Sequence, residues 1–205
     1  HSTSRRQRQM CIRDRIMVDM NGENSIAIAS GANGSLSPED IRKAQLTIEK
    51  GNILLMQLEI PIETVEYAAQ IASEQGIKVI LNPAPARALS NKLLQNLYMI
   101  IPNETEAEIL SGVKVTDWES ARKAADIISA KGVDIVVITL GSKGALIKEK
   151  DIFHEVPVPK VKAVDTTAAG DTFCGALCVA LSEDVDVLDA VKFANKLSLI
   201  HISEP

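Results

Sequence analysis

The sequence predicts an α/β fold in three layers, with helices on both faces of a mainly parallel β-sheet. Two observations support this prediction. Strand-like apolar runs alternate with segments of helical periodicity along most of the chain, as in successive βαβ units. Most of the strand-like runs are apolar at consecutive positions, which is typical of parallel strands covered on both faces.

The first element departs from this alternation. Residues 16–20 and 25–30 are strand-like and flank Asn21-Gly22, a dipeptide that favours a hairpin turn. We expect this β-hairpin to be the remnant of a lid or an edge element. A helix follows from residues 37–40, where a Ser cap, a first-turn Pro and two acidic residues mark its start.

The strands of the main sheet are predicted in chain order. They cover residues 52–59, 77–82, 98–103 and 134–141, the last of which has the strongest strand pattern. The intervening helices are predicted at residues 62–75, in a short polar segment before residue 98, and at 103–112 and 117–131. The last of these is expected to bury one side, formed by Ala121, Ala124, Ala125, Ile127 and Ile128.

Composition sets the broad class of protein. Of 205 residues, 46% are hydrophobic and 24% are charged, which is ordinary for a globular protein and excludes a disordered chain. No apolar run reaches the roughly 18–20 residues of a membrane span, so no membrane partner is expected. The net charge of −5 disfavours nucleic acid as a partner. Cys174 and Cys178 lack a second Cys or His pair, which predicts reduced thiols instead of a zinc site.

The two ends of the chain differ from the rest. Residues 1–15 contain five Arg and one Asp, a net charge of +4, which leaves −9 on residues 16–205. We expect residues 1–15 and 198–205 to be non-native tails, and residues 16–197 to be part of one domain. A transit peptide is an alternative for the basic, serine-containing start.

The segment of residues 164–173 carries the clearest chemical signal. A helix is predicted to start near Ala169, with a buried face formed by Phe173, Ala176, Leu177, Ala180 and Leu181. The unpartnered N–H groups and small side chains of its first turn are typical of an anion site. Asp171 in that turn can accept the proton of a hydroxyl, and the two features together suit phosphoryl transfer to an alcohol. A purely stabilising charge is the alternative for Asp171.

Residues 164–177 (VDTTAAGDTFCGAL) resemble the second signature of the ribokinase-like family of carbohydrate and nucleoside kinases. The segment NGENSIAI at 21–28, with GAN at 31–33, also resembles this family. Further similar motifs follow in the family's order: LLMQLE at 54–59, NPAPAR at 82–87, PNETEAE at 102–108 and TLGSKG at 139–144. The chain is therefore identified as a member of this family over nearly all of residues 16–197, with the greatest likeness to its ribokinase branch.

The resemblance implies a ribokinase-like α/β/α fold and an ATP-dependent kinase. Its implied reaction is phosphorylation of a sugar at a primary hydroxyl, with D-ribose as acceptor and D-ribose 5-phosphate as product. Asp171 is the implied general base and a sugar contact. The implied anion hole consists of the N–H groups of Ala168, Ala169, Gly170 and Asp171.

The same resemblance implies further binding residues. Those along the nucleotide are Asn103, Thr139, Gly141, Ser142, Lys143, Gly144, Gly170 and Asn195. Glu106 matches an element that organises Mg²⁺ through water, and Asp165 with Thr167 matches part of a K⁺ site. Glu59 matches a sugar-contacting acid. The alternatives are a solvated charge for Glu106 and Lys143, and a cap or salt bridge for Glu59.

The chain also departs from the family pattern. Two glycine-rich sugar-binding elements, the first strand and most of the lid are not found ahead of residue 16, and the match ends near Leu197. Three hypotheses therefore stay open: a ribose kinase, a related sugar or nucleoside kinase, and a nucleotide-binding fragment without turnover. The resemblance further implies small-molecule partners, a cytoplasmic location and a homodimer of the full-length protein.

Overall fold

The computed structural model describes residues 13–18 and 24–203. Two strands, β1 (Arg13–Val18) and β2 (Asn24–Ala29), form an antiparallel pair in which Ile16 lies opposite Ile26. This confirms the pair predicted near residues 16–30, although β1 begins three residues earlier. The turn at Asn21-Gly22 lies outside the described residues, and the role of the pair as a lid stays a prediction.

Six strands form the main sheet, and their spatial order is their chain order. They are β3 (Ile53–Met56), β4 (Lys78–Leu81), β5 (Met99–Ile100), β6 (Ile135–Thr139), β7 (Gly144–Glu149) and β8 (Ile152–Pro157). Strands β3 to β6 are parallel, which confirms the predicted mainly parallel sheet. Strands β7 and β8 pair antiparallel with their neighbours.

The β7–β8 hairpin was not predicted from the sequence. Glu149 pairs with Ile152, so the connection consists of Lys150 and Asp151 alone. Lys150 adopts a left-handed backbone with φ of +52°. Two-residue hairpin turns favour Asn or Gly at such positions, and the polar KEKD sequence of this turn lacks both.

Seven α-helices complete the described part of the chain. They are α1 (Pro38–Ile48), α2 (Ile62–Glu74), α3 (Asn91–Leu94), α4 (Glu104–Ser111), α5 (Trp118–Ser129), α6 (Ala169–Ser182) and α7 (Val187–Ser203). Ser37 caps α1 as predicted. Gly76 and Gly112, with φ of +73° and +78°, follow the ends of α2 and α4. None of the described helices is long and apolar enough to cross a membrane.

The sheet lies between two hydrophobic cores. Alternate residues of β4 show the separation: Val79 and Leu81 belong to the core shared with α2, α4 and α5, whereas Ile80 belongs to the core shared with α6 and α7. This arrangement confirms the predicted three layers. One prediction for α5 was wrong, because Ile127 is 38% exposed while Ile128 is fully buried. Ile127 lies at the flank of the buried face, outside the i, i+3, i+4, i+7 pattern that starts at Ala121.

Candidate active site

The start of α6 presents unpartnered backbone donors. Ala168 precedes the helix in a left-handed conformation, with φ of +57° and ψ of +15°. The N–H groups of Ala168, Gly170 and Asp171 donate to no acceptor within the described residues, whereas Ala169 N–H donates to the carbonyl of Thr166 over 3.2 Å. Three of the four predicted anion-hole donors are therefore available to a ligand. A Cβ added at Gly170 would meet no heavy atom of residues 13–18 and 24–203 within 4 Å, so these residues leave the space in front of this turn open.

Asp171 faces a small cavity at the edge of the sheet. Its volume is about 240 Å³, and it is lined by Leu55, Met56, Gln57, Asn82, Asp171 and Cys174. The Oδ1 atom of Asp171 accepts a hydrogen bond from Gln57 Nε2 at 2.9 Å. The cavity is smaller than pockets that hold drug-sized ligands, and its size and polar groups suit a small polar molecule.

Asn103 and Glu106 form a reciprocal capping box at the start of α4. Asn103 Oδ1 accepts the Glu106 N–H at 2.9 Å, and Glu106 Oε2 accepts the Asn103 N–H at 2.9 Å. Glu106 is only 6% exposed, so it is not the solvated charge considered from the sequence. Burial raises the pKa of the Glu106 carboxyl, and the hydrogen bond from Asn103 opposes this shift. The Asn-x-x-Glu spacing is itself a capping signal that the sequence analysis overlooked.

Two predicted site residues, Asp171 and Glu106, both act electrostatically on the buried thiol of Cys174. Burial is the main cause that raises the pKa of its thiol to about 12, and the nearby charges of Cys178, Asp171 and Glu106 add to the shift. Asp171 and Glu106 therefore both lie within electrostatic reach of one buried side chain. The starts of α4 and α6 are thus brought to the same region. Cys178 is a second free thiol, and burial raises its pKa to about 11.

The loop after β6 contains two residues with positive φ, and both are glycines. Gly141 and Gly144 have φ of +51° and +109°. A Cβ at Gly144 would lie 2.0 Å from the carbonyl oxygen of Val156, so β7 and β8 pack too closely there for any side chain. Thr139 N–H donates to the carbonyl of Pro102 over 2.9 Å, which holds the end of β6 beside the start of α4.

Four other predicted residues occupy different settings. Lys143 is exposed, and its Nζ donates to the carbonyl of Thr116. Asn195 is 9% exposed, and its Nδ2 donates to the carbonyl of Val156 over 3.4 Å. Glu59 is half-buried after β3 and forms neither a helix cap nor a salt bridge within the described residues. Ser142 is exposed in the loop after β6.

The residues predicted for K⁺ lie in the segment that leads into α6. Asp165 Oδ1 accepts the Thr167 N–H at 2.8 Å, and this bond lowers the pKa of the Asp165 carboxyl. The carbonyl oxygen of Thr167 lies 2.9 Å from His201 Nε2. Among the residues that the structure describes, no group of three or more His, Cys, Asp or Glu side chains could hold a metal ion.

Two polar residues of the cavity were not assigned a role from the sequence. Gln57 contacts Asp171, and Asn82 Nδ2 donates to the carbonyl of Ile101 over 3.0 Å. Gln57 directly follows β3, and Asn82 directly follows β4. The available signal was their position at the carboxyl ends of parallel strands, where ligands bind in open α/β sheets.

These features define an α/β protein in which a helix start with unpartnered backbone donors lies beside a carboxylate at the carboxyl edge of the sheet. The chain belongs to the pfkB family of carbohydrate kinases, whose model matches residues 13–205. This confirms the family inferred from the motifs.

Individual relatives agree with this assignment. The chain is 47% identical over 189 residues to a ribokinase from Haemophilus influenzae, covering 92% of this chain and 62% of the relative. It is 42% identical over 180 residues to a deoxyribokinase from Salmonella typhi, covering 87% and 59%. The chain thus spans about three-fifths of the length of these relatives.

Solved structures show the same likeness. The crystal structure of ribokinase from Thermotoga maritima matches with a TM-score of 0.84 and 40% identity, covering 94% of this chain and 63% of that one. The structure of Arabidopsis thaliana ribokinase complexed with ribose and ATP matches with a TM-score of 0.81 and 30% identity, covering 91% and 61%.

Proposed function

We propose that this chain is part of a sugar kinase that transfers the γ-phosphoryl group of ATP to the primary hydroxyl of D-ribose. The observation that carries the proposal is the shared first turn of α6, where the Asp171 carboxylate lies beside the free N–H groups of Gly170 and Asp171. The names of the Haemophilus influenzae and Arabidopsis thaliana relatives support ribose as the acceptor.

The proposed role of Asp171 is that of general base. Its carboxylate accepts the proton of the sugar hydroxyl while the hydroxyl oxygen forms a bond to the γ-phosphorus. The bond from the γ-phosphorus to the bridging oxygen breaks, and ADP leaves with that electron pair. The N–H groups at the start of α6 stabilise the charge on the transferring phosphoryl group without having to reorient during the reaction.

The described residues fit Mg²⁺ and K⁺ in different ways. The buried Glu106 carboxylate is a hard oxygen ligand whose ionised form a nearby cation would stabilise, and we assign it to Mg²⁺ through water. Bound Mg²⁺ neutralises phosphate charge in this chemistry. A hydrogen bond from the Thr167 N–H lowers the pKa of the Asp165 carboxyl, and the Thr167 carbonyl oxygen lies 2.9 Å from His201 Nε2. We assign Asp165 and Thr167 to K⁺ because their positions match part of the K⁺ site that the family resemblance implies.

The nucleotide is proposed to lie along the loop after β6. Gly141 is exposed, so the backbone there is open to close approach, whereas Gly144 is buried against Val156 and shapes the turn. Asn103 lies beside this loop at the start of α4. Thr139, Ser142, Lys143 and Asn195 complete the proposed set. Glu59 and Asp171 are assigned to the sugar.

A second acceptor is favoured by one observation. The relative from Salmonella typhi, named as a deoxyribokinase, is 42% identical, close to the 47% of the Haemophilus influenzae ribokinase. We therefore propose 2-deoxyribose as the alternative acceptor, which differs from ribose by one hydroxyl.

The test is ADP formation with ATP, Mg²⁺ and K⁺, in the presence of ribose, 2-deoxyribose or neither sugar. Removal of a general base is expected to cost about 10²- to 10⁴-fold in rate, so Asp171→Ala should lose nearly all sugar-dependent turnover. Asp189→Ala is the matched control, because Asp189 lies in the first turn of α7 and pairs with Lys192 there. If the unmodified chain forms ADP no faster than Asp171→Ala, the proposal that this chain has kinase activity is wrong. ATP binding without turnover would then favour a nucleotide-binding fragment.

A further inference from the structure

We infer that Gln57 is a positioning residue for Asp171, an inference that rests on the proposed phosphoryl transfer. Gln57 directly follows β3, and its Nε2 donates to Asp171 Oδ1 over 2.9 Å. The two residues lie 114 positions apart, and no other side-chain hydrogen bond among the described residues joins positions more than 39 apart. This bond therefore ties the end of β3 to the start of α6 across the cavity.

The backbone on both sides of Gln57 is fixed. The carbonyl of Met56 accepts the Asn82 N–H at 2.9 Å, and the Leu58 N–H donates to the carbonyl of Ala84 over 2.7 Å. Met56 and Leu58 are both buried, whereas Gln57 between them is half-buried. The Gln57 amide thus extends from a rigid part of the fold, which is what a residue that orients another side chain requires.

Asp171 has no other support of this kind. Its side chain is exposed in the first turn of α6, and no second side chain among the described residues donates to its carboxylate. Without Gln57, rotation about its side-chain torsions would give the carboxylate several orientations. The bond to Oδ1 selects one of them and leaves Oδ2 to accept the proton of a hydroxyl.

The chemistry of an amide suits this role. A Gln side chain is neutral and cannot give up its proton at ordinary pH, so it orients a base without neutralising its charge. A Lys or Arg at this position would favour the ionised carboxylate strongly and make it a poorer proton acceptor. A substrate in the cavity would exclude water from the Gln57–Asp171 bond and so strengthen it when orientation matters.

The kinetic test compares two glutamines with the same bond. Gln70 Nε2 donates to Glu74 Oε1 over 2.9 Å on α2, so Gln70→Leu is the matched control for Gln57→Leu. Misplacement of a reacting group costs up to about 100-fold in rate, so Gln57→Leu should lower kcat about 10- to 100-fold. The KM for ATP should stay within about twofold, because Gln57 is not assigned to the nucleotide. The isosteric Gln57→Glu should lower kcat at least as much as Gln57→Leu. It replaces the amide donor by a second negative charge next to the Asp171 carboxylate.

Gln70→Leu should leave kcat unchanged. A kcat of Gln57→Leu within twofold of the unmodified chain would overturn the inference while leaving the proposed function intact.

A second measurement does not depend on turnover. In ¹H–¹⁵N spectra of the whole chain, the side-chain amide signals of Gln57 are assigned by their loss in Gln57→Leu. The substitution Asp171→Asn should shift these signals, whereas Asp189→Asn should not. If the side-chain amide signals of Gln57 keep the same chemical shifts in Asp171→Asn, the inference is overturned. If the unmodified chain shows no turnover, the proposed function fails for this chain and the spectra alone decide whether Gln57 holds Asp171.

Discussion

Asn103 and Glu106 hold each other at the start of α4 through two hydrogen bonds of 2.9 Å, each from the backbone N–H of one residue to the side chain of the other. The pair therefore satisfies two helix-end donors that would otherwise lack partners. It also keeps the Glu106 carboxylate buried at 6% exposure, close enough to Cys174 to raise the pKa of that thiol. Asn103 and Glu106, which are proposed to bind the nucleotide and Mg²⁺, thus also stabilise the start of α4.

The burial of Glu106 predicts a pH-dependent stability. Its pKa is raised above the ordinary value of 4.5, so the folded chain binds its proton more tightly than the unfolded chain does. The contribution of Glu106 to stability is therefore present below about pH 4.5 and is lost as pH rises through the raised pKa. Glu106→Gln keeps an acceptor for the Asn103 N–H without the buried charge, and it should remove this part of the pH dependence.

The measurement is urea unfolding of both chains from pH 4 to pH 8. At neutral pH, Glu106→Gln should be as stable as the unmodified chain or more stable. A variant less stable by more than about 1 kcal/mol at neutral pH would contradict the prediction, because it would mean that the ionised carboxylate stabilises the fold.

Gly170 should be needed for the ligand and not for the fold. A Cβ at this position meets no heavy atom of the described residues within 4 Å, and alanine favours helix by about 1 kcal/mol over glycine. Gly170→Ala should therefore keep or slightly raise the melting temperature, while its methyl group fills space next to the anion site and lowers turnover about 10-fold or more.

Gly175→Ala is the control, because a Cβ there also meets no heavy atom within 4 Å in the described part of the chain but lies about one and a half turns further along α6. Equal turnover in the two variants would argue against phosphate binding at the start of the helix.

Gly144 should show the opposite behaviour. Its φ of +109° and the 2.0 Å approach of a Cβ to the Val156 carbonyl leave no room for alanine. Gly144→Ala should cost about 3 kcal/mol or more, which corresponds to a fall of about 6–12 °C in melting temperature for a chain of this size. Thermal unfolding followed by circular dichroism measures this, with Gly175→Ala again as the control. A fall below about 2 °C would show that β7 and β8 can separate at this point without loss.

Cys174 and Cys178 should be nearly inert in the folded chain. Burial raises the pKa of these thiols to about 12 and about 11, from an ordinary value of 9.0. The reactive thiolate at pH 8 is therefore about 1000-fold scarcer for Cys174 and about 100-fold scarcer for Cys178. Cys11, the third cysteine of the chain, is replaced by Ser so that only these two thiols react. In this Cys11→Ser background, Ellman's reagent should modify both thiols at least about 100-fold more slowly in buffer than in guanidinium chloride. Fast modification in buffer would contradict the burial of these side chains.

Local patterns in the sequence were sufficient to predict much of this fold. The apolar runs of β3 to β6 and the small-residue start of α6 each follow from a few neighbouring residues, and the structure has an element within each predicted range. β3 and β5 are shorter than predicted, and β3 is only partly buried, since Leu55 is 40% exposed. The β7–β8 hairpin was missed because its Lys150-Asp151 turn contains no glycine, so no local turn signal marks where β7 ends and β8 begins.

The site was predictable only in part. Asp171 and Gly170 are four residues or fewer from the helix start that gives them their chemistry, so local reasoning could assign them. Gln57 lies 114 positions from Asp171, and only the packing of β3 against α6 brings the two together. The burial of Glu106 likewise depends on surrounding elements, although its capping bond does not.

The most direct test of the central claim is the identity of the phosphorylated product. The chain is incubated with ATP, Mg²⁺, K⁺ and ribose, and the mixture is followed by ³¹P NMR. We predict a phosphomonoester signal coupled to both C5 protons of the sugar, formed together with ADP and absent with Asp171→Asn. Release of inorganic phosphate alone, or the same sugar phosphate in equal amount with Asp171→Asn, would contradict phosphoryl transfer to the ribose hydroxyl by Asp171.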